Sequence, residues 1–269
     1  MTIRLKTLAS GSSGNATFLR FGNTRLLLDA GISYSRIQEG MESMGESIDE
    51  LAAVVITHEH TDHIKGLEQL RKHHENLAIY ATAGTARDFS AETVEIVKAG
   101  RKFSFGDLEI HPFRTSHDAR EPVGFRFEIP GFALAVATDL GQVTRDVLAA
   151  LKGCNVLMVE ANYDRRMLQW SPYPAFLKRR ISGRGGHLSN DQCGELIRRV
   201  LHPGLESVIL VHLSEKNNSP EQATAVVTEA LSGREICLRA APRGGPGPLL
   251  SFRPAPVDIP PEKQQILPF

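Results

Sequence analysis

Short apolar runs, each closed by a polar turn, recur along the first 240 or so residues of the chain. Positions 3–8 alternate apolar with polar, the pattern of a strand with one buried face, and a Ser/Gly loop at 10–15 ends it. Segments 17–21 and 25–29 flank Gly22-Asn23 and predict a hairpin. Ser33 is placed to cap a helix that runs to about Met44. Residues 52–56 are uninterruptedly apolar and predict a strand over 53–57 that is buried on both faces. A helix over 64–75 and a strand over 78–81 follow. From Lys102 onward the pattern returns to strands, at 108–113, 123–129 and 132–138. Helices at 143–151, 191–201 and 220–231 then alternate with strands at 155–160 and 207–211. Strands followed by strands with helices, in both halves, predict an α/β protein built as a four-layer αββα sandwich. After Ala241 the run Pro242-Arg243-Gly244-Gly245-Pro246-Gly247-Pro248 and the later prolines break every pattern. Residues 1–241 are therefore expected to form the catalytic domain, and 242–269 a mobile tail.

Composition narrows this picture by exclusion. Of 269 residues 41% are apolar, enough for a sizeable core, and 31 cations balance 31 anions, so the global charge calls for no polyanionic or membrane partner. The longest apolar run, 132–137, is far too short to span a bilayer. Cys154, Cys193 and Cys237 are odd in number and widely spaced. They predict no disulfide framework and a reducing, cytoplasmic setting. The first 14 residues lack the pattern of a signal peptide.

Chemistry concentrates in His58-Glu59-His60-Thr61-Asp62-His63, directly after the apolar run 52–56. Imidazole nitrogens and a carboxylate are borderline ligands that suit zinc, manganese or iron. In extended chain residues 58 and 60 point the same way, while 62 and 63 fall where a helix starts and face a second ion. A polar surface turn is the plain alternative, but it does not account for four ligand-type side chains in six residues. Two divalent ions are expected, and such pairs typically sit ~3.5–4 Å apart. Three later residues each follow an apolar strand and begin a turn: His117, Asp139 and His212. Together they complete a coherent set, with His58, His60 and His117 for one ion, Asp62, His63 and His212 for the other, and Asp139 between them. His73 and His74 read as a solvated helix face, and His111 and His202 as structural.

The motif HxHxDH, the later histidine, the aspartate after a strand and the last histidine resemble the five-part signature of the metallo-β-lactamase superfamily. Asp29, in Leu27-Leu28-Asp29-Ala30-Gly31, is similar to its first motif, an acid that orients ligands from behind. Several segments resemble the YycJ/WalJ-type branch more narrowly. They are residues 8–15 (Leu-Ala-Ser-Gly-Ser-Ser-Gly-Asn), Ser116-His117-Asp118 with Glu121-Pro122-Val123-Gly124, and Ala137-Thr138-Asp139-Leu140-Gly141. Gly186-His187-Leu188-Ser189-Asn190 and His212-Leu213-Ser214 complete the set. The resemblance covers roughly residues 1–231 and implies a binuclear nuclease, with zinc or manganese, that removes nucleotides from DNA in the 5′-to-3′ direction through a metal-bridging hydroxide. The chain has no room for the inserted β-CASP domain of the related RNase J.

Further residues have candidate roles. Asp62 ligates metal and takes up the hydroxide's proton. His187 with Glu160 is similar to the tRNase Z pair that protonates a departing 3′ oxygen; the plain alternative is a loop histidine in a salt bridge. Lys178, Arg179, Arg180 and Arg184 fit a phosphate channel, or else only a solvated surface. Ser12, Ser13 and Asn15 sit in a glycine-rich loop able to offer N–H groups to phosphate, or in a tight structural turn. Gln264-Gln265-Ile266-Leu267-Pro268-Phe269 resembles the peptides that dock on bacterial sliding clamps, or is an inert tail. Three other functions stay open: a small-molecule hydrolase such as a thioesterase or lactonase, an RNA-processing nuclease, and a non-catalytic DNA-tethered protein.

Overall fold

Two mixed sheets of seven strands lie face to face among the described residues. The structure is a computed structural model, and it describes residues 1–89, 94–243 and 245–256. In the first sheet β1 (Ile3–Ala9), β2 (Ala16–Phe21) and β3 (Thr24–Leu28) are antiparallel neighbours. Pairing then turns parallel through β4 (Ala53–Val55), β5 (Ala78–Thr82) and β6 (Val94–Val97). The second sheet repeats the plan. β7 (Phe103–Phe105), β8 (Leu108–Arg114), β9 (Val123–Ile129) and β10 (Phe132–Ala137) are antiparallel. β11 (Val156–Glu160), β12 (Ser207–Val211) and β13 (Cys237–Ala240) continue in parallel.

Helices cover both outer faces, so the strands are apolar on both sides. Along β2, Leu19 and Phe21 point between the sheets, where they meet Phe125, Phe127 and Leu134. Phe18 points the other way, to Ile37 and Met41 of α1 (Tyr34–Glu42). The chain next forms the single turn α2 (Thr61–Ile64) and then α3 (Leu67–His73), whose Leu67 and Leu70 join the same outer cluster. On the second sheet, Leu157, Val159 and Leu210 pack under α4 (Arg145–Leu151), α7 (Asn190–Val200) and α8 (Pro220–Ala230). Between β11 and α7 the chain makes α5 (Arg165–Trp170) and α6 (Ala175–Ile181). The four-layer sandwich expected from the pattern is the architecture observed.

Three details differ from the sequence pattern. The helix expected over 64–75 is two helices, because Gly66 passes so close to the chain after β3 that a Cβ there would lie 2.0 Å from the Ile32 carbonyl oxygen. His74 is no solvated face: Tyr34 Oη lies 3.1 Å from its Nε2 and Asp49 3.0 Å from its Nδ1. Most consequentially, the segment after Ala241 is not wholly a mobile tail. β14 (Leu250–Phe252) pairs antiparallel with the open edge of β1, Gly247 N–H donates to the Thr7 carbonyl, and Phe252 packs beside Phe132. A proline-rich segment cannot build its own core, yet it can satisfy an edge strand that already exists. Residues 264–269, the clamp-like peptide, lie outside the described residues.

One buried charge fastens the strands at the far edge of the first hairpin. Glu46 accepts from Arg20 at 2.7 Å and Arg25 at 2.6 Å, with Arg4 3.5 Å away, and its side chain is 2% exposed. Burial works against its charge, but the hydrogen bonds from Arg25 and Arg20 hold its carboxyl below the ordinary range. Replacing Glu46 by Gln leaves these guanidinium groups without their anion and is expected to lower stability by about 2 kcal/mol at neutral pH. Because the folded carboxyl is depressed, its contribution is complete above the unfolded carboxylate pKa and is lost as pH falls through the folded value. Urea unfolding of both proteins at falling pH should show the gap closing in acid; a pH-independent gap contradicts the assignment.

Candidate metal centre and its cleft

The candidate ligands follow the ends of β4, β8, β10 and β12. Two of them, and the acid behind His63, leave their strands through a residue with left-handed backbone: Asp139 after β10 (φ 56°), His212 after β12 (φ 56°) and Asp29 after β3 (φ 58°). Non-glycine residues in this region cost about 1 kcal/mol each, a strain that functional sites retain when the neighbours enforce it. Here the neighbours do so. His212 N–H donates to Ser10 Oγ at 2.8 Å, and its carbonyl accepts from Asn162 at 2.8 Å. After Asp29, Gly31 runs against α2 so tightly that a Cβ would meet the Asp62 carbonyl oxygen at 1.7 Å.

His58 and His60 follow β4, His60 caps α2, and Asp62 and His63 sit inside that turn. Ligand atoms of His58, His60 and His117 lie within 4.8 Å of one another, as do those of Asp62, His63 and His212. Asp139 reaches both groups. Its Oδ1 is 3.6 Å from His117 Nε2 and its Oδ2 is 3.3 Å from His63 Nε2. The structure thus brings together all seven residues singled out as ligands.

Hydrogen bonds behind the ligands decide which nitrogen of each ring faces inward. Asp29 lies 2.8 Å from His63 Nδ1 and accepts from the Thr57 amide and hydroxyl. Thr57 Oγ1 spends its only hydrogen on Asp29, so it accepts from His58 Nδ1, 3.0 Å away. His117 Nδ1 donates to the Gly186 carbonyl at 3.1 Å, and His212 Nδ1 donates to Glu160 at 2.9 Å. In each of these four rings Nδ1 is engaged from behind and Nε2 is the nitrogen turned toward the centre. His60 is the exception, since its Nδ1 is the atom 3.2 Å from His117 Nε2.

Charge follows the same plan. Asp139 is fully buried; burial opposes its charge, yet the His212 and His63 imidazoles hold its carboxyl well below the usual range. Burial also disfavours a proton on His63, but the Asp29 and Asp139 carboxylates push its pKa up to about 10. His58 behaves in the opposite way, held well below its ordinary value by burial and by His63. It stays neutral, and its buried Nε2 has no hydrogen-bond partner. An unpartnered buried lone pair among ionised carboxylates is what a divalent cation fits, and the mixed imidazole and carboxylate donors suit such an ion.

Glu160 and His187 stand together as expected, with His187 Nδ1 2.7 Å from Glu160 Oε1. The same oxygen takes His212 Nδ1, while Oε2 accepts the Leu140 and Leu188 amides at 2.8 and 3.1 Å. Burial works against a charge on His187, but the Glu160 carboxylate raises its pKa. His187, with His60, Asp62, His117, Asp139 and His212, borders a cleft of about 230 Å³ lined also by Ser12, Asp118, Leu177, Arg180 and Ile181.

The expected substrate contacts divide. Ser12 and Arg180 line the cleft, and Arg180 Nε donates to Asp118 at 2.7 Å. Ser13, Lys178, Arg179 and Arg184 stay outside its lining, and Lys178 Nζ instead caps the Gln169 carbonyl. Asn15 is buried. Its amide nitrogen lies 3.3 Å from Asp62 Oδ2 and 3.1 Å from His63 Nε2, so it positions ligands and offers no N–H to a phosphate. Thr57, Asp118 and Ser10 were given no role of their own from the sequence, although Ser10 and Asp118 stand inside the motifs that carry the resemblance. Thr57 had one signal, its place immediately before the histidine motif, whereas Ser10 and Asp118 act through partners distant in the chain.

A family model described as "Beta-lactamase superfamily domain" matches residues 24–213. The chain belongs to that superfamily, in its metallo-β-lactamase form. Exodeoxyribonuclease YycJ of Bacillus anthracis is 33% identical over 238 residues, 86% of this chain and 90% of that protein. Exodeoxyribonuclease WalJ of Streptococcus pneumoniae is 32% identical over 238 residues, 85% of this chain and 88% of that protein. The metallo-β-lactamase fold protein YhfI of Bacillus subtilis superposes with a TM-score of 0.69 at 14% identity, covering 93% of this chain and 99% of that one. This metallo-β-lactamase-fold protein is accordingly grouped with the YycJ/WalJ type. Among the described residues no helix is long and apolar enough to cross a membrane.

If Asp29 fixes His63, Asp29→Asn should weaken metal binding by about 10–100-fold while the protein stays folded. Chelator competition with metal analysis of the purified protein checks this. Unchanged affinity would remove Asp29 from the centre.

Proposed function

We propose that this centre holds two divalent ions, zinc or manganese, and that the protein hydrolyses nucleic-acid phosphodiesters as a 5′-to-3′ DNA exonuclease. The observation that carries this reading is His187, held from behind by the buried Glu160 and set beside the candidate ligands in one cleft. A thioester departs as a thiolate and needs no such proton donor. The names of the YycJ and WalJ relatives point to the same substrate class. The free cysteines support a cytoplasmic setting.

His58, His60 and His117 would hold one ion, Asp62, His63 and His212 the other, and Asp139 would face both. When bound, such a pair supplies an activated water at neutral pH and offsets charge on phosphoryl oxygens. The protein groups do the rest. Asp62, partly open to the cleft, accepts the proton of the attacking water. Glu160 holds His187 by Nδ1 and keeps it protonated, so that Nε2–H is free for the departing 3′ oxygen. Arg180, at the cleft wall, meets a phosphate.

End-labelled single- and double-stranded DNA and RNA, incubated with the Mn²⁺- or Zn²⁺-loaded protein, test the reading. Mononucleotides should leave from 5′ ends of DNA, and His60→Ala should abolish their release. Cleavage of no polymer, with turnover of thioesters or lactones, sinks it; preference for RNA makes the protein an RNA-processing nuclease.

The donor role has its own signature. His187→Ala should slow DNA cleavage about 100-fold or more, in line with loss of a general acid. The same variant should hydrolyse bis(p-nitrophenyl) phosphate at close to the parent rate, because p-nitrophenolate departs without a proton. Equal losses on both substrates would make His187 structural.

A further inference from the structure

Among the described residues, the large apolar side chains left mostly in solvent include two aromatic ones, Trp170 at 82% exposure and Phe176 at 66%. They lie six positions apart, at the end of α5 and the start of α6. A single exposed aromatic is ordinary. Here the surroundings are not. Residues 165–186 carry Arg165, Arg166, Lys178, Arg179, Arg180 and Arg184 and no carboxylate, in a chain with equal numbers of cations and anions overall. α6 buries none of its residues, so folding gains little from the apolar side chains it displays.

The helix is nevertheless fixed in place. Lys178 Nζ binds the Gln169 carbonyl at 2.6 Å, joining α6 to α5, and His187 N–H donates to the Ile181 carbonyl at 2.8 Å. Leu177, Arg180 and Ile181, one turn apart on α6, line the cleft beside His187. Phe176 shares a helix face with Arg179 and Arg180, at spacings of three and four. One rigid hairpin therefore carries exposed aromatic rings, a row of cations and part of the cleft wall.

Unpaired nucleotides match this surface: aromatic rings stack on any base, and cations track the phosphates. A duplex keeps its base faces stacked internally. We propose that Trp170 and Phe176 form a stacking platform for unpaired bases, which with Arg179, Arg180 and Arg184 guides a single-stranded end into the cleft. This rests on the nucleic-acid reading above and adds a preference for unpaired strands that comes from α5 and α6.

Trp170 is the only tryptophan of the chain, so protein fluorescence reports on the platform directly. The full-length, metal-loaded protein is titrated with phosphorothioate single-stranded DNA and with the same sequence as a blunt duplex, beside Trp170→Ala and Phe176→Ala. Single strands should quench the wild-type emission. Each substitution should weaken single-strand binding, read by anisotropy of a labelled strand, about tenfold, and duplex binding by under about twofold. Hydrolysis of bis(p-nitrophenyl) phosphate should be unchanged, showing that both variants are folded and active. DNA bound or cut with no quenching and unchanged variant affinities overturns the platform and leaves the nuclease reading standing. Wild-type protein that neither binds nor cuts any nucleic acid overturns the nuclease reading itself. A variant that loses self-association in light scattering, with strand affinity intact, makes the aromatic pair a contact between copies and overturns the proposal.

Discussion

A carboxylate stays charged inside a protein only when donors surround it, and Glu160 is fully buried with four. Two are imidazoles, from the loop before α7 and from the end of β12; two are amides, from the turn after β10 and from the same loop. One side chain at the end of β11 therefore registers three neighbouring segments of the second sheet. Asp29 does the corresponding work for the first sheet, joining β3 to Thr57 and His63. Through these bonds the two buried anions hold His63 and His212 by Nδ1, with Nε2 turned toward the candidate centre.

The sandwich explains why such anions are tolerated at the rim. Both sheets run their parallel strands outward to the same edge, where backbone N–H groups come free as pairing ends. Three strands turn there through left-handed residues, and in each case packing against a neighbouring loop sustains the strain. The depressed Asp139 and Glu160 carboxyls and the raised His63, His187 and His212 are two sides of the same buried carboxylate–imidazole pairs.

Cations and anions are equal in number over the whole chain, yet residues 165–186, spanning α5 and α6, carry six cations and no carboxylate, and Arg180 of that stretch lines the cleft. A local concentration of this kind favours a polyanion without making the whole surface adhesive.

Much of this was legible in the chain. Apolar runs buried on both faces specified the four layers, because period and run length follow directly from what each face touches. The seven candidate ligands could be picked out too, since each is an imidazole or a carboxylate and four of them crowd into one six-residue motif after an apolar strand. Short edge strands such as β7 and β13 were not, as half-exposed residues leave no run to detect. Nor was β14, whose formation depends on the unpaired edge of β1 and not on its own proline-rich composition. Asn15 looked like a phosphate loop and proved to brace Asp62 and His63; of the basic run, only Arg180 reaches the cleft. The sequence by itself determined the layers and the kinds of atoms available to a metal, because both are local properties of residue type and spacing. Only the tertiary structure decided which nitrogen each ring turns inward and which cation meets the cleft, because those depend on partners supplied by distant parts of the chain.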